Sequence, residues 1–153
     1  MAREFEKLSE VETELLLKAP LLVCILIAGA DGKIDRKEIK EAISIAEKRS
    51  KKKGVLASYF ADLAQDFEDK LKILIQSYPY EATQRNPLII SELAAINAVW
   101  PKINATFATE LYLTLKDIAA GIASSSGGLL GIRSIDPEEA KLIELNMIQN
   151  PGQ

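Results

Sequence analysis

One stretch constrains the fold more than any other. Leu21 to Ala30, "LLVCILIAGA", is apolar on every side. A helix with no polar face has to be wrapped by other elements or placed in a membrane. Counted from Ala19, the run is about twelve residues, and a spanning helix needs about twenty. The expectation is a central buried helix, with the rest of the chain supplying its wrapping. Cys24 lies within the run and reads as a small buried hydrophobe.

The remaining sequence has helical spacing nearly throughout and no strand-like alternation. Glu4 to Lys18 reads as a first helix, and Pro20 as a kink or the first turn of the next. Asp31-Gly32 stops the apolar helix, and Asp35 opens another that runs to Arg49. Leu56, Phe60, Leu63, Phe67, Leu71 and Leu74 form one stripe on a helix broken at Pro79. Asn86-Pro87 is a cap followed by proline at the first helical position, for a helix reaching Trp100. Phe107, Leu111, Leu115, Ile118 and Ile122 mark the next, ended by the "SSSGG" of residues 124–128. Asp136 opens a last helix that reaches about Gln149. The expected architecture is all-α, a compact bundle of about seven helices in a single domain over residues 1–153.

Two stretches echo each other. Ile27-Ala28 is followed by a glycine turn and then Ile34-Asp35 with Glu38. Ile122-Ala123 is followed by a longer glycine turn and then Ile135-Asp136 with Glu139. Each unit pairs a very apolar helix with a polar-faced one, so the bundle is expected to contain two pseudo-repeated helical hairpins.

The carboxylates of these turns admit two readings. Asp at a helix N-cap accepts from a backbone N–H two or three residues on, and Glu at the third position reaches back to the cap. Asp35 with Glu38 and Asp136 with Glu139 fit that box, and Ile34 and Ile135 fit its apolar staple. The second reading adds a divalent cation. With Gly32 at position six of a twelve-residue calcium loop, Asp31, Asp35 and Glu38 fall at five, nine and twelve. Ile27 and Gly29 then fall at one and three, so the loop alone lacks ligands for Ca²⁺. Acids of the second hairpin could complete the set if the two turns met. Asp31 separates the readings, because a cap does not require it.

The stretches "AGADGKIDRKEIKEAI" and "IDPEEAKLIEL" resemble the bacterial tellurite-resistance TerB family. They are also similar to the N-terminal domain of membrane-associated DnaJ-like co-chaperones. The resemblance implies a seven-helix bundle with an acidic, divalent-metal-binding face for Ca²⁺, Mg²⁺ or Mn²⁺. It also implies a role in tellurite or related chemical stress, exerted through protein partners. The acids it matches are Asp31, Asp35 and Glu38 in the first hairpin, and Glu139 with Asp136 in the second. No acid in the second turn stands at the place of Asp31.

Composition narrows the function classes. Histidine is absent, which removes the commonest general base and transition-metal ligand. No nucleophile signature or dinucleotide fingerprint is present, so the expected role is binding or scaffolding without catalysis. With 19 basic and 22 acidic residues, the net charge is −3 and gives no whole-molecule attraction to nucleic acid. The run Lys48-Arg49-Ser50-Lys51-Lys52-Lys53 suits a helix C-terminus. Its alternative reading is an adaptor docked on an anionic membrane surface or within a membrane-associated complex. The acidic, mixed N-terminus lacks the pattern of a secretory signal, which makes the cytoplasm, or the inner face of its membrane, the expected location.

Overall fold

The computed structural model describes residues 6–28, 40, 41, 43–45, 47, 48, 56–127 and 142–152. All regular structure among these residues is helical. Helix α1 spans Glu10–Ala28, α2 Ala57–Gln65, α3 Phe67–Gln76, α4 Ala82–Ala94 and α5 Ala105–Gly127. Two 3₁₀ turns, Ala95–Ala98 and Trp100–Lys102, join α4 to α5. Residues 40, 41, 43–45, 47 and 48 are also helical.

Helix α1 is the axis of the molecule. It packs against α5 most extensively, and also against α4, α3 and the first 3₁₀ turn. Every residue from Ala19 to Ala28 is buried, Cys24 among them. The all-round apolar run is thus a wrapped helix. No helix among the described residues is long and apolar enough to cross a membrane.

Pro20 lies inside this helix and does not divide it, so of its two readings the start of a second helix is not the one realised. Proline has no N–H to donate to the carbonyl four residues earlier, here that of Leu16. The Tyr59 hydroxyl from α2 donates to the Leu16 carbonyl oxygen at 2.5 Å. Both residues are at most 1% exposed, so no water competes for the site. Burial alone also pushes the Tyr59 hydroxyl well above the ordinary tyrosine range, which keeps it a neutral donor. The Tyr59 ring meets Phe60 edge-on at 5.0 Å and Phe107 of α5 at 5.9 Å. One side chain therefore repairs α1 and joins it to α2 and α5.

The start of α1 is set at Glu10, not Glu4. Ser9 Oγ accepts from the Glu12 N–H at 3.1 Å, and Glu12 Oε1 accepts from the Ser9 N–H at 3.0 Å. This is a reciprocal capping box, with Leu8 packed on the core before it. Lys102 Nζ adds an ion pair to Glu12 Oε2 at 2.6 Å. Lys102 stands just before α5, whose start is capped by Asn104 Oδ1 accepting from Thr106 and Phe107 N–H. The Glu12–Lys102 and Tyr59–Phe107 contacts place the first turns of α1 and α5 at one end of the molecule. Since the two helices also pack together, they run in the same sense.

Four other boundaries differ from expectation. The stripe from Leu56 to Leu74 belongs to two helices, because Asp66 leaves helical geometry at φ −128°, ψ 31°. The apolar spacing continues through this break, so it leaves no mark in the pattern. Helix α4 begins at Ala82 and carries Pro87 inside it. Thr83, whose carbonyl Pro87 deprives of a donor, is exposed and can use water. Helix α5 continues through residues 124–126 to Gly127, where buried Ile118, Ala119 and Ile122 hold it to the core against its turn-forming composition.

The C-terminal helix stops well short of Gln149. Leu142 and Ile143 are helical, and Leu145 takes a left-handed φ of 51°. That conformation costs a branched residue about 1–2 kcal/mol, and here it drives Leu145 into the core at 1% exposure. The chain beyond is held by side chains. Asn97 Nδ2 donates to the Met147 carbonyl at 2.9 Å, and Asn97 Oδ1 accepts from the Gln149 N–H at 2.7 Å. Trp100 Nε1 donates to the Gln149 carbonyl at 3.0 Å.

A mutant cycle tests the repair of α1. Tyr59→Phe should cost about 1–3 kcal/mol, because the Leu16 carbonyl is then buried without its donor. In a Pro20→Ala background the restored N–H should take over, and the same change should cost clearly less. Urea denaturation of the four proteins measures both values. Equal costs in the two backgrounds would overturn the assignment.

Candidate functional site

The five carboxylates singled out in the sequence, Asp31, Asp35, Glu38, Asp136 and Glu139, lie outside the described residues. So do Arg49, Ser50 and Lys51–Lys53 of the basic run, while Lys48 is helical and exposed. Among the described residues no group of three or more Cys, His, Asp or Glu side chains is arranged to hold a metal. What the structure does describe is the framework carrying the two acidic stretches.

That framework is directional. Helix α1 leads into the first acidic stretch and α5 into the second. Ala28 and Ile27 are buried to within 2% at the end of α1, and Ile122 is fully buried near the end of α5. Running in the same sense, the two helices carry their C-terminal ends toward the same side of the molecule. Neither has a basic residue in its last turn. The partial negative charge of the terminal carbonyls is therefore not offset from within either helix. The helical residues between 40 and 48 also reach α5. A Cβ placed on Gly121 would lie 2.8 Å from Ile45 Cδ1, so the glycine permits a close approach there.

The second feature is a polar knot beside α1. Glu92 of α4 accepts from Lys18 Nζ of α1 at 2.7 Å through Oε1. Through Oε2 it accepts from the Tyr78 hydroxyl, which follows α3. Lys18 and Glu92 side chains are 27% and 32% exposed. Desolvation, with the Glu92 carboxylate beside it, pushes the Tyr78 hydroxyl above the ordinary tyrosine range. Every group here is engaged as donor or acceptor, so the arrangement ties three segments together and holds no free acid or base. Nearby, buried Arg85 donates to the Tyr80 carbonyl at 2.8 Å and fixes the turn before α4.

The third feature is an apolar groove of about 480 Å³ between α1 and α3, completed by Asp62 and Leu63 of α2. Its apolar lining comes from Leu17 and Leu21 of α1, Leu63 of α2, and Ile73 and Leu74 of α3.

No protein-family model matches the chain, and neither curated proteins nor solved structures give a match.

The knot makes an alkaline prediction. A hydroxyl held neutral in the fold stabilises fully below the ordinary tyrosine value of 10.0 and loses that contribution as pH rises above it. Stability should therefore fall above pH 10, and Tyr78→Phe should flatten the slope. Urea midpoints taken from pH 8 to about 11 would show it. Glu12 has the opposite sign. The Lys102 hydrogen bond, helped by the Ser9 N–H, lowers its carboxyl from 4.5, so its contribution is present above that pH and is lost on acidification. Glu12→Gln should flatten the acid limb and leave the alkaline limb unchanged.

Proposed function

We propose that this chain is a TerB-like binding or scaffold module without catalytic activity, serving tellurite or related chemical-stress responses through protein partners. Its acidic end, built from Asp31, Asp35, Glu38, Asp136 and Glu139, takes a divalent cation. The family reading rests on the paired Ile-Asp-x-x-Glu motifs. The duplicated hairpins and the seven-helix count belong to the same proposal.

One observation carries the cation site. Helices α1 and α5, the apolar members of the two hairpins, start together and run in the same sense, and neither carries a cation in its last turn. In the chain, two acidic stretches thus follow helix ends that themselves favour positive charge. A cation there would satisfy both the carboxylates and the terminal carbonyls, in the oxygen environment that Ca²⁺ and Mg²⁺ prefer. The contact of Ile45 with the Gly121 position supports the hairpin reading, because it sets the helix after the first turn against the apolar helix of the second unit.

Titration calorimetry of metal-free protein with Ca²⁺, Mg²⁺ and Mn²⁺ tests this. One of them should bind, and the double variant Asp31→Asn, Glu38→Gln should weaken it at least tenfold. Asp136→Asn should weaken it too if both hairpins contribute. Absence of binding, or affinity untouched by the double variant, rejects the cation site.

A further inference from the structure

Beyond Ile143 the chain leaves the helix, yet Leu145 and Ile148 are only 1% and 3% exposed. Glu144, Asn146 and Gln149 beside them are exposed. Two tight turns shape the segment. The Leu145 N–H donates to the Leu142 carbonyl and the Ile148 N–H to the Leu145 carbonyl, each at 3.0 Å. Around Ile148 the main chain is held by two side chains. The Asn97 amide gives an N–H to the Met147 carbonyl at 2.9 Å and accepts the Gln149 N–H at 2.7 Å. Trp100 Nε1 donates to the Gln149 carbonyl at 3.0 Å. Giving to the residue before Ile148 and accepting from the residue after it is the pairing that one residue of a parallel neighbouring strand makes. Asn97 thus reads main chain as an added strand is read, and the buried Leu145 and Ile148 supply the side-chain anchors.

The surface that holds the segment has its own hydrogen bonds. In the two 3₁₀ turns the Val99, Lys102 and Ile103 N–H groups donate to the Ile96, Val99 and Trp100 carbonyls. The first of these turns also packs against α1 and α4. The segment has no such support. It makes no helical or strand ladder beyond Ile143, and Leu145 sits in the left-handed region at φ 51°. The entropy of ordering it is set against two aliphatic anchors and three side-chain hydrogen bonds. A stretch so balanced opens locally, ahead of the helices around it.

We propose that Asn97 and Trp100 form a peptide-binding site, which residues 144–152 fill as an internal ligand that a partner's peptide replaces. The contacts define the ligand class. It is a short peptide with aliphatic residues at the places of Leu145 and Ile148 and a backbone N–H at the place of Gln149. Proline at that last place would remove the donor. The inference uses none of the carboxylates of the cation site, so the two proposals fail separately.

The full chain carries the test. Trp100 is its single tryptophan and is 7% exposed, so its emission reports on the site. In wild-type protein, amide hydrogen exchange at Ile148 and Gln149 should be at least tenfold faster than in residues 22–27 of α1. Ile148→Asp should release the internal ligand, keep the helical circular dichroism and shift Trp100 emission to the red. A labelled synthetic peptide of residues 142–152 should bind that variant at least tenfold more tightly than wild type, and return the emission to the blue. The peptide with Gln149→Pro should bind at least tenfold more weakly. So should the unaltered peptide when Asn97→Ala is added to the Ile148→Asp chain. Loss of the fold in Ile148→Asp, exchange at Gln149 as slow as in α1, or no binding of the peptide to the folded variant would overturn the proposal. Each would make the segment a fixed part of the core.

Discussion

The hydrogen bond from Tyr59 to the Leu16 carbonyl is the contact on which the rest of the architecture depends. Pro20 sits in the helix that α3, α4 and α5 pack around, and it leaves a carbonyl of that helix without its donor at a position closed to water. An orphaned buried carbonyl costs about 1–3 kcal/mol and invites a kink. A kink would point the two halves of α1 in different directions. The lower half carries the Glu12 and Lys18 contacts, and the upper half carries the apolar run. By supplying the missing donor from α2, the fold satisfies the Leu16 carbonyl while α1 packs along α5. The edge-on contact with Phe107 then sets where α5 begins.

Comparison of Pro20 with Pro87 shows why proline was hard to read. Both interrupt a helical pattern, and local rules end or start a helix at each. In the fold both are interior. The outcome turned on where the deprived carbonyl lay: Leu16 is buried and is served by a side chain 43 residues away, while Thr83 is exposed and needs only water. Neither fact is local. The same holds at the Ser-rich end of α5, where packing on α1 extends a helix through residues that favour turns. It holds too for Leu145, whose left-handed backbone follows from the grip of Asn97 and Trp100 on the tail. What was legible was whatever a single helix decides alone: the helical class, the apolar axis, and the burial of Cys24, Phe60, Leu63 and Phe107.

Some local signals were legible and passed over. Ser9-x-x-Glu12 before an apolar run is a capping-box pattern as good as Asp35-x-x-Glu38, and it sets the start of the central helix. Asn104, three residues before the first member of the Phe107 stripe, caps α5. The cation proposal remains anchored in the sequence, with the framework contributing direction: two helices in the same sense, ending without cations. The groove has the opposite origin. Its lining mixes apolar residues with Glu14, Lys18, Asp62, Lys70 and Ser77 from three segments, a combination that no single helical pattern announces.

Helix α1 borders both the groove and the proposed cation end, the first through Glu14 to Leu21 and the second through Ala28. Sharing a helix does not make them communicate. Coupling needs an element with two arrangements that each ligand favours differently. The stretch of α1 between the two, Leu22 to Ile27, is at most 2% exposed at every position. A rod packed on all sides has one arrangement, because a shift along it would have to displace neighbours at crystal-like density. A cation at one end should therefore stabilise the fold by mass action without changing the groove. The knot of Lys18, Glu92 and Tyr78 touches the groove directly, because Lys18 is one of its lining residues. It holds a wall residue of the groove by an ion pair only partly shielded from solvent, so salt or charge changes at Glu92 reach the groove rim directly.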